Sequence, residues 1–131
     1  MSTPYTAIQV VMMPRDTNPA GTIFGGVILS YIDMAGAIAA RREVALRGGS
    51  ANANIVTVAI NRVEFKQPVQ VGDVVRFETT VVRIGRTSMT MHIDVFSERA
   101  GAVIPVTDSE VVYVNVDENR HPAPILPGLS Q

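Results

Sequence analysis

Phe24-Gly25-Gly26-Val27-Ile28-Leu29-Ser30-Tyr31-Ile32-Asp33-Met34-Ala35-Gly36-Ala37-Ile38-Ala39-Ala40 is almost wholly apolar and holds one carboxylate, Asp33. The stretch is close to the length of the shortest membrane-spanning helices, about 17 residues, and Arg41-Arg42 follow it. A carboxylate at mid-span is costly in lipid, and the chain beyond it reads as strands. The stretch is therefore expected to be a helix buried in a protein core. Good helix formers without proline continue to about Ala45, and Arg41, Arg42 and Arg47 complement the negative end of the helix dipole. Gly48-Gly49 supplies the stop.

Upstream, Thr6 to Met13 is rich in Ile, Val and Met and stops at Pro14, which predicts a first strand entering a loop over 14–22 dense in Asp, Asn, Pro and Gly. Downstream of Ile55 the pattern changes to Val, Ile and Thr, with turn signals at Pro68, Gly72-Asp73, Gly85-Arg86 and Gly101, a run of four strands. Val75, Phe77, Thr79 and Val81 alternate with Arg76, Glu78 and Thr80; Met89, Met91, Ile93 and Val95 alternate with Ser88, Thr90, His92 and Asp94. Each run describes a strand with one buried face. Gly85-Arg86 between them predicts an antiparallel hairpin with positive φ at the glycine. In Ile55 to Phe65 and Val103 to Val116 apolar residues fall on both faces, as expected of strands covered on each side by the helix, another strand layer or another subunit, with some of that burial between molecules. The order, one strand, one helix, four strands, predicts an α+β arrangement: a five-stranded antiparallel sheet on one long apolar helix. The length predicts a single domain over 1–131, with Pro122, Pro124 and Pro127 marking an extended tail from about residue 118.

Composition narrows the function classes. Eleven Lys and Arg against twelve Asp and Glu give a net charge of -1, so no field attracts a polyanion, and 5% aromatic residues leave little for base stacking. Nucleic acid and membrane are not expected partners. There is no cysteine, hence no thiol nucleophile, disulfide or thiolate metal site. Met1-Ser2-Thr3-Pro4 lacks the features of a secretory signal, which predicts a cytoplasmic protein. His92 lies on a strand and His121 in the proline-rich tail without metal-ligand spacing, so no metal is expected, and with no dinucleotide Gly-x-Gly-x-x-Gly no redox cofactor is expected either.

Three features carry chemistry. Asp33 amid Val27, Ile28, Leu29, Ile32, Met34 and Ile38 is either a general base or nucleophile in a pocket, or an acid reaching the helix edge or pairing with an arginine such as Arg62. Gly25-Gly26 stands where the first helix amides have no internal acceptor, and there it either stabilises an oxyanion or lets the helix start pack closely. Asn18, before Pro19, is extended and either holds a ligand or makes turn bonds. Arg83, Arg86 and Lys66 read as a solvated rim or as phosphate contacts.

The pattern Asn18-x-x-Gly21-x-x-Phe24-Gly25-Gly26, then Ile28-Leu29 and Ile32-Asp33, closely resembles the hotdog-fold acyl-CoA thioesterases, in particular their YciA-like branch. The likeness continues through Val56-Thr57-Val58-Ala59, Phe65-Lys66-Gln67-Pro68-Val69, Gly72-Asp73, Ile84-Gly85-Arg86-Thr87-Ser88 and Val106-Thr107-Asp108, about nine-tenths of the chain in order. The chain departs from the family at Asn61, where relatives often carry an acid, and after Val116, where several relatives have a basic cluster.

The resemblance implies a hotdog fold, a homodimer with a continuous sheet, further assembly as a trimer of dimers, and active sites at the dimer interface. It implies Asp33 as the catalytic carboxylate, Asn18 as the residue positioning water or thioester from the other subunit, and Gly26 with Gly25 as the oxyanion amides. Gly85, Arg86, Thr87 and Ser88 correspond to the strand edge along which CoA lies, with Lys66 as a further contact. The activity implied is hydrolysis of acyl-CoA to a carboxylic acid and CoA, by general-base attack of water or by a mixed anhydride on Asp33. A non-catalytic acyl-CoA sensor is the alternative. A hotdog hydratase or dehydratase is disfavoured because the catalytic histidine of the fatty-acid pathway enzymes is missing near this helix.

Overall fold

A computed structural model describes residues 3–50 and 53–127. Strand β1 (Tyr5–Val11) is followed by a 3-10 turn (Pro14–Asp16), helix α1 (Gly25–Leu46), and strands β2 (Ile55–Asn61), β3 (Val74–Ile84), β4 (Ser88–Arg99) and β5 (Ala102–Asn115). The sheet order is β1-β3-β4-β5-β2, antiparallel throughout. Since α1 joins the two edge strands, it crosses the full width of one face. One irregularity in each pairing, near Ala7, Val58, Val82 and Phe96, adds to the twist that curls the sheet around the helix.

The core is the interface of these two layers. Ile28, Ile32, Ala35, Ala39, Ala40 and Val44 bury one stripe of α1 against Val75, Phe77, Met89, Met91, Ile93, Val95 and Val111. The helix stops as its two glycines predict: Gly48, at φ +84, donates to the Ala45 carbonyl and Gly49 to that of Val44, the paired bonds of a Schellman motif. Elsewhere on α1 Met34 and Ile38 are exposed, as are Phe24 just before it and Val56, Val58 and Ile60 of edge strand β2. No helix among the described residues is long and apolar enough to cross a membrane.

Three local expectations are corrected. The glycine of the β3-β4 turn is not in the left-handed region: Gly85 still pairs with Ser88, donating to its carbonyl at 2.8 Å, which leaves Arg86-Thr87 as the turn. The left-handed pair sits instead at Ala100-Gly101, φ 49 and 80, between β4 and β5. Strand β2 ends at Asn61 rather than Phe65, because Arg62 (φ 38) turns the chain away. The proline-rich tail is not an extended solvated segment through residue 127: Asp117 Oδ1 accepts from the Asn119 and His121 amides, Val116 bridges to Pro122, and Ile125 and Leu126 are buried. Burying those two side chains outweighs the tail's PPII preference.

One buried ion pair clamps the loop before β3. Asp73, 3% exposed, accepts from Arg99 Nε at 2.9 Å, Ser97 Oγ at 2.7 Å and the Gln70 amide at 3.0 Å. Burial pushes its carboxyl up, but the Arg99 guanidinium and the other donors outweigh that and hold it at about 2. A carboxyl depressed in the folded state stabilises the fold above its unfolded value near 3.8, and that contribution, about 2 kcal/mol, is lost as pH falls toward 2. Asp73→Asn should therefore melt lower than wild type at neutral pH, with the gap closing by pH 2 in thermal denaturation. A gap independent of pH would refute this account.

Candidate active site

Asp33 lies on α1 facing β2 and β5, and the sheet register supplies its surroundings. Thr57 of β2 and Tyr113 of β5 are direct cross-strand partners, and both side chains reach the helix. Thr57 Oγ1 donates to Asp33 Oδ1 at 2.7 Å. The Tyr113 hydroxyl donates to the Asp33 backbone carbonyl at 2.8 Å and lies 3.3 Å from Oδ1. Both donors approach one oxygen; among the described residues Oδ2 has none. Burial first, then the charge and hydrogen bond of Asp33, push the Tyr113 phenol well above the ordinary tyrosine range, so it remains a donor at any working pH. Gly36, one turn beyond Asp33, makes this approach possible: a Cβ there would stand 2.2 Å from the Tyr113 hydroxyl.

The expected pairing of Asp33 with Arg62 is not formed, since Arg62 pairs with Glu64 at 3.2 Å. The carboxylate is half-buried beside the uncovered edge strand β2, with its partner Thr57 exposed.

The other expected residues divide between places. Asn18 Oδ1 accepts from the Ala20 amide at 2.9 Å and the Thr22 amide at 3.2 Å, and Nδ2 donates to Thr22 Oγ1 at 3.1 Å, so Asn18 builds its own turn. An amide nitrogen has two hydrogens, and one remains for a ligand. The amides of Gly25 and Gly26 begin α1 and have no acceptor among the described residues. Their missing side chains admit aromatic rings rather than a strand: a Cβ would lie 3.3 Å from the Phe65 ring at Gly25 and 2.8 Å from the Phe24 ring at Gly26. Gly25, Ile28, Phe65 and Val69 line a cavity of about 190 Å³ at the helix start.

Asp33 and Gly25 are eight positions apart on one helix, a rise of about 12 Å. No single thioester carbon touches both in one protomer. At the far end of the sheet the Gly85-Arg86-Thr87-Ser88 turn is backed by the chain terminus: the Arg86 carbonyl accepts from the Ile125 amide and that of Thr87 from Asn115, while the Arg86 side chain is exposed. Lys66 pairs with Asp108 at 3.4 Å. Asp108 and Val114, the partner of Ser88, are six positions apart on β5, so Lys66 stands about 20 Å from that turn.

Tyr113 and Gly36 are site residues that the linear pattern did not flag. Each left a signal: a tyrosine in the inward phase of β5 needs a partner for its hydroxyl, and a mid-helix glycine carries a cost that close approach explains.

The sequence profile of the Thioesterase superfamily matches residues 20–104. The acyl-CoA thioester hydrolase YciA of Escherichia coli is 37% identical over 120 residues, 88% of this chain and 86% of that one. A hexameric hotdog-fold thioesterase of Campylobacter jejuni superposes with a TM-score of 0.81 at 40% identity, covering 95% of this chain and 92% of its own. A hexameric broad-specificity acyl-coenzyme A thioesterase, solved as an aspartate-to-alanine mutant, superposes with a TM-score of 0.83 at 32% identity, covering 97% and 90%. One helix wrapped by five antiparallel strands, a half-buried helical carboxylate and likeness along nearly the whole chain lead to one assignment. The chain is a hotdog-fold member of the thioesterase superfamily, in the branch of the YciA-related acyl-CoA thioester hydrolases.

Proposed function

We propose that this protein hydrolyses acyl-CoA thioesters to the free carboxylic acid and CoA, at sites completed between two subunits. The observation that carries the reading is the Asp33 carboxylate itself, half-buried, fixed through Oδ1 by Thr57 and Tyr113, with Oδ2 free of hydrogen-bond donors among the described residues. General-base attack by water and a mixed anhydride both use Oδ2, so the hydroxyl pair orients the reactive oxygen in either route. The oxyanion is met by the Gly25 and Gly26 amides and the positive end of α1. CoA leaves as its thiolate, and its phosphates lie within reach of Arg86 at the Gly85-Ser88 turn.

The rise of about 10–12 Å between Asp33 and the amides of its own helix supports two subunits per site: Asp33 of one works with Asn18 and Gly25-Gly26 of the other. Antiparallel pairing of β2 with its copy would cover Val56, Val58 and Ile60 and make the sheet continuous. The related structures are hexamers, which supports a trimer of such dimers here.

Thiol release measured with a thiol-reactive dye across short, medium, long and aryl acyl-CoAs tests the activity. Binding of an acyl-CoA without thiol release from any of them would instead make the protein a sensor. With a substrate in hand, mixed dimers of Asn18→Ala and Asp33→Ala subunits are expected to regain one wild-type site per dimer. Persistent inactivity of verified mixed dimers would place both residues in one subunit's site.

A further inference from the structure

We infer that the outward face of the sheet carries a divalent transition-metal site built by His92 and Asp94 of β4 and Asp108 of β5. It lies on the side of the sheet opposite Asp33, since these residues alternate with Met91, Ile93 and Val95, which face α1. The register sets Asp94 directly opposite Asp108, and His92 opposite Glu110. Two carboxylates facing each other across an antiparallel pair destabilise it unless a cation lies between them.

The distances favour a metal over a shared proton. His92 Nε2 is 3.3 Å from Asp94 Oδ1 and 3.4 Å from Asp108 Oδ2, and one donor atom from each residue falls within 4.8 Å of the others. A charge-assisted N–H···O bond is shorter, about 2.7–2.9 Å, and an N–H shared between both oxygens would make two long, bent bonds. Donors bound to one tetrahedral ion at about 2.0–2.1 Å are separated by about 3.3–3.4 Å, the spacing of both pairs. The surroundings hold the donors in place: Lys66 Nζ takes the other oxygen of Asp108 at 3.4 Å, and Glu110 Oε2 lies 3.9 Å from His92 Nδ1, on the side where a metal-binding imidazole carries its N–H. One imidazole and two carboxylates suit Zn²⁺ or a neighbouring divalent ion, with the fourth position open to the adjoining groove of about 340 Å³.

Equilibrium dialysis of the full-length, metal-stripped protein against Zn²⁺ at neutral pH should find one ion per chain. His92→Ala and the near-isosteric Asp94→Asn should each weaken binding at least about 10-fold. Both should leave thiol release near wild type; in the metal-free protein His92→Ala should melt near wild type and Asp94→Asn, which removes one of the two facing carboxylates, at or above it, while His121→Ala retains the ion. Absence of Zn²⁺ from wild type, or binding unchanged in His92→Ala and Asp94→Asn, overturns the site. Neither outcome depends on the thioesterase reading.

Discussion

Asp33→Ala is expected to lower thiol release from a good acyl-CoA substrate by about 100-fold or more, the scale of a lost general base or nucleophile, while the assembly stays folded. The argument for intact structure comes from the partners left behind. Tyr113, fully buried, keeps its 2.8 Å bond because the acceptor is the Asp33 backbone carbonyl, which alanine retains. Thr57 is exposed in the protomer, so its hydroxyl is not stranded in a dry core. Asp33→Asn sharpens the test, since it preserves shape and an acceptor for Thr57 but removes the charge. Both variants should match the wild-type oligomer by light scattering and lose activity together. Retention of a tenth or more of wild-type kcat by either would remove Asp33 from the chemistry.

Gly36→Ala has the second largest expected effect and acts through Tyr113. The added methyl would sit 2.2 Å from the hydroxyl and 3.0 Å from Cζ. In an exposed helix interior alanine would stabilise by about 1 kcal/mol over glycine. Here Tyr113 is 0% exposed and cannot swing out, so overpacking, about 1–3 kcal/mol, wins. The melting temperature should fall, and kcat should drop about 10-fold or more because displacing the hydroxyl releases the grip on Asp33 and misplaces Oδ2. Adding Tyr113→Phe removes the closest clashing atom: the double variant should regain stability over Gly36→Ala without regaining activity. Gly36→Ala at or above wild-type stability would show that the approach of Tyr113 is not limiting.

The secondary structure was legible because each element follows from short-range periodicity. The run of helix formers without proline over α1, alternation in β3 and β4, and the Gly48-Gly49 stop all depend on neighbours within a few positions. Expectations failed where a non-local contact competes with local propensity. The prolines of the tail predict extension, but Ile125 and Leu126 gain more by packing; Gly85 predicts a left-handed turn, but its pairing with Ser88 moves the bend onward. Asp33, Asn18 and Gly25-Gly26 stood out by residue type and position at a helix start. What holds Asp33 did not, because Thr57 lies 24 and Tyr113 80 residues further along the chain.

By itself the sequence determined the order and kind of the elements and placed one acid in an apolar helix, for these depend on side-chain periodicity and on what each residue permits its own backbone. The tertiary structure decided which oxygen of Asp33 is held, which glycine makes room for the holding tyrosine, and that Asn18 spends its side-chain oxygen and one amide hydrogen on its own turn. It also decided that His92 meets Asp108. The physical reason is register: pairing of β2 and β4 with β5, shifted by bulges, brings distant residues into contact, and no spacing along the chain encodes those shifts.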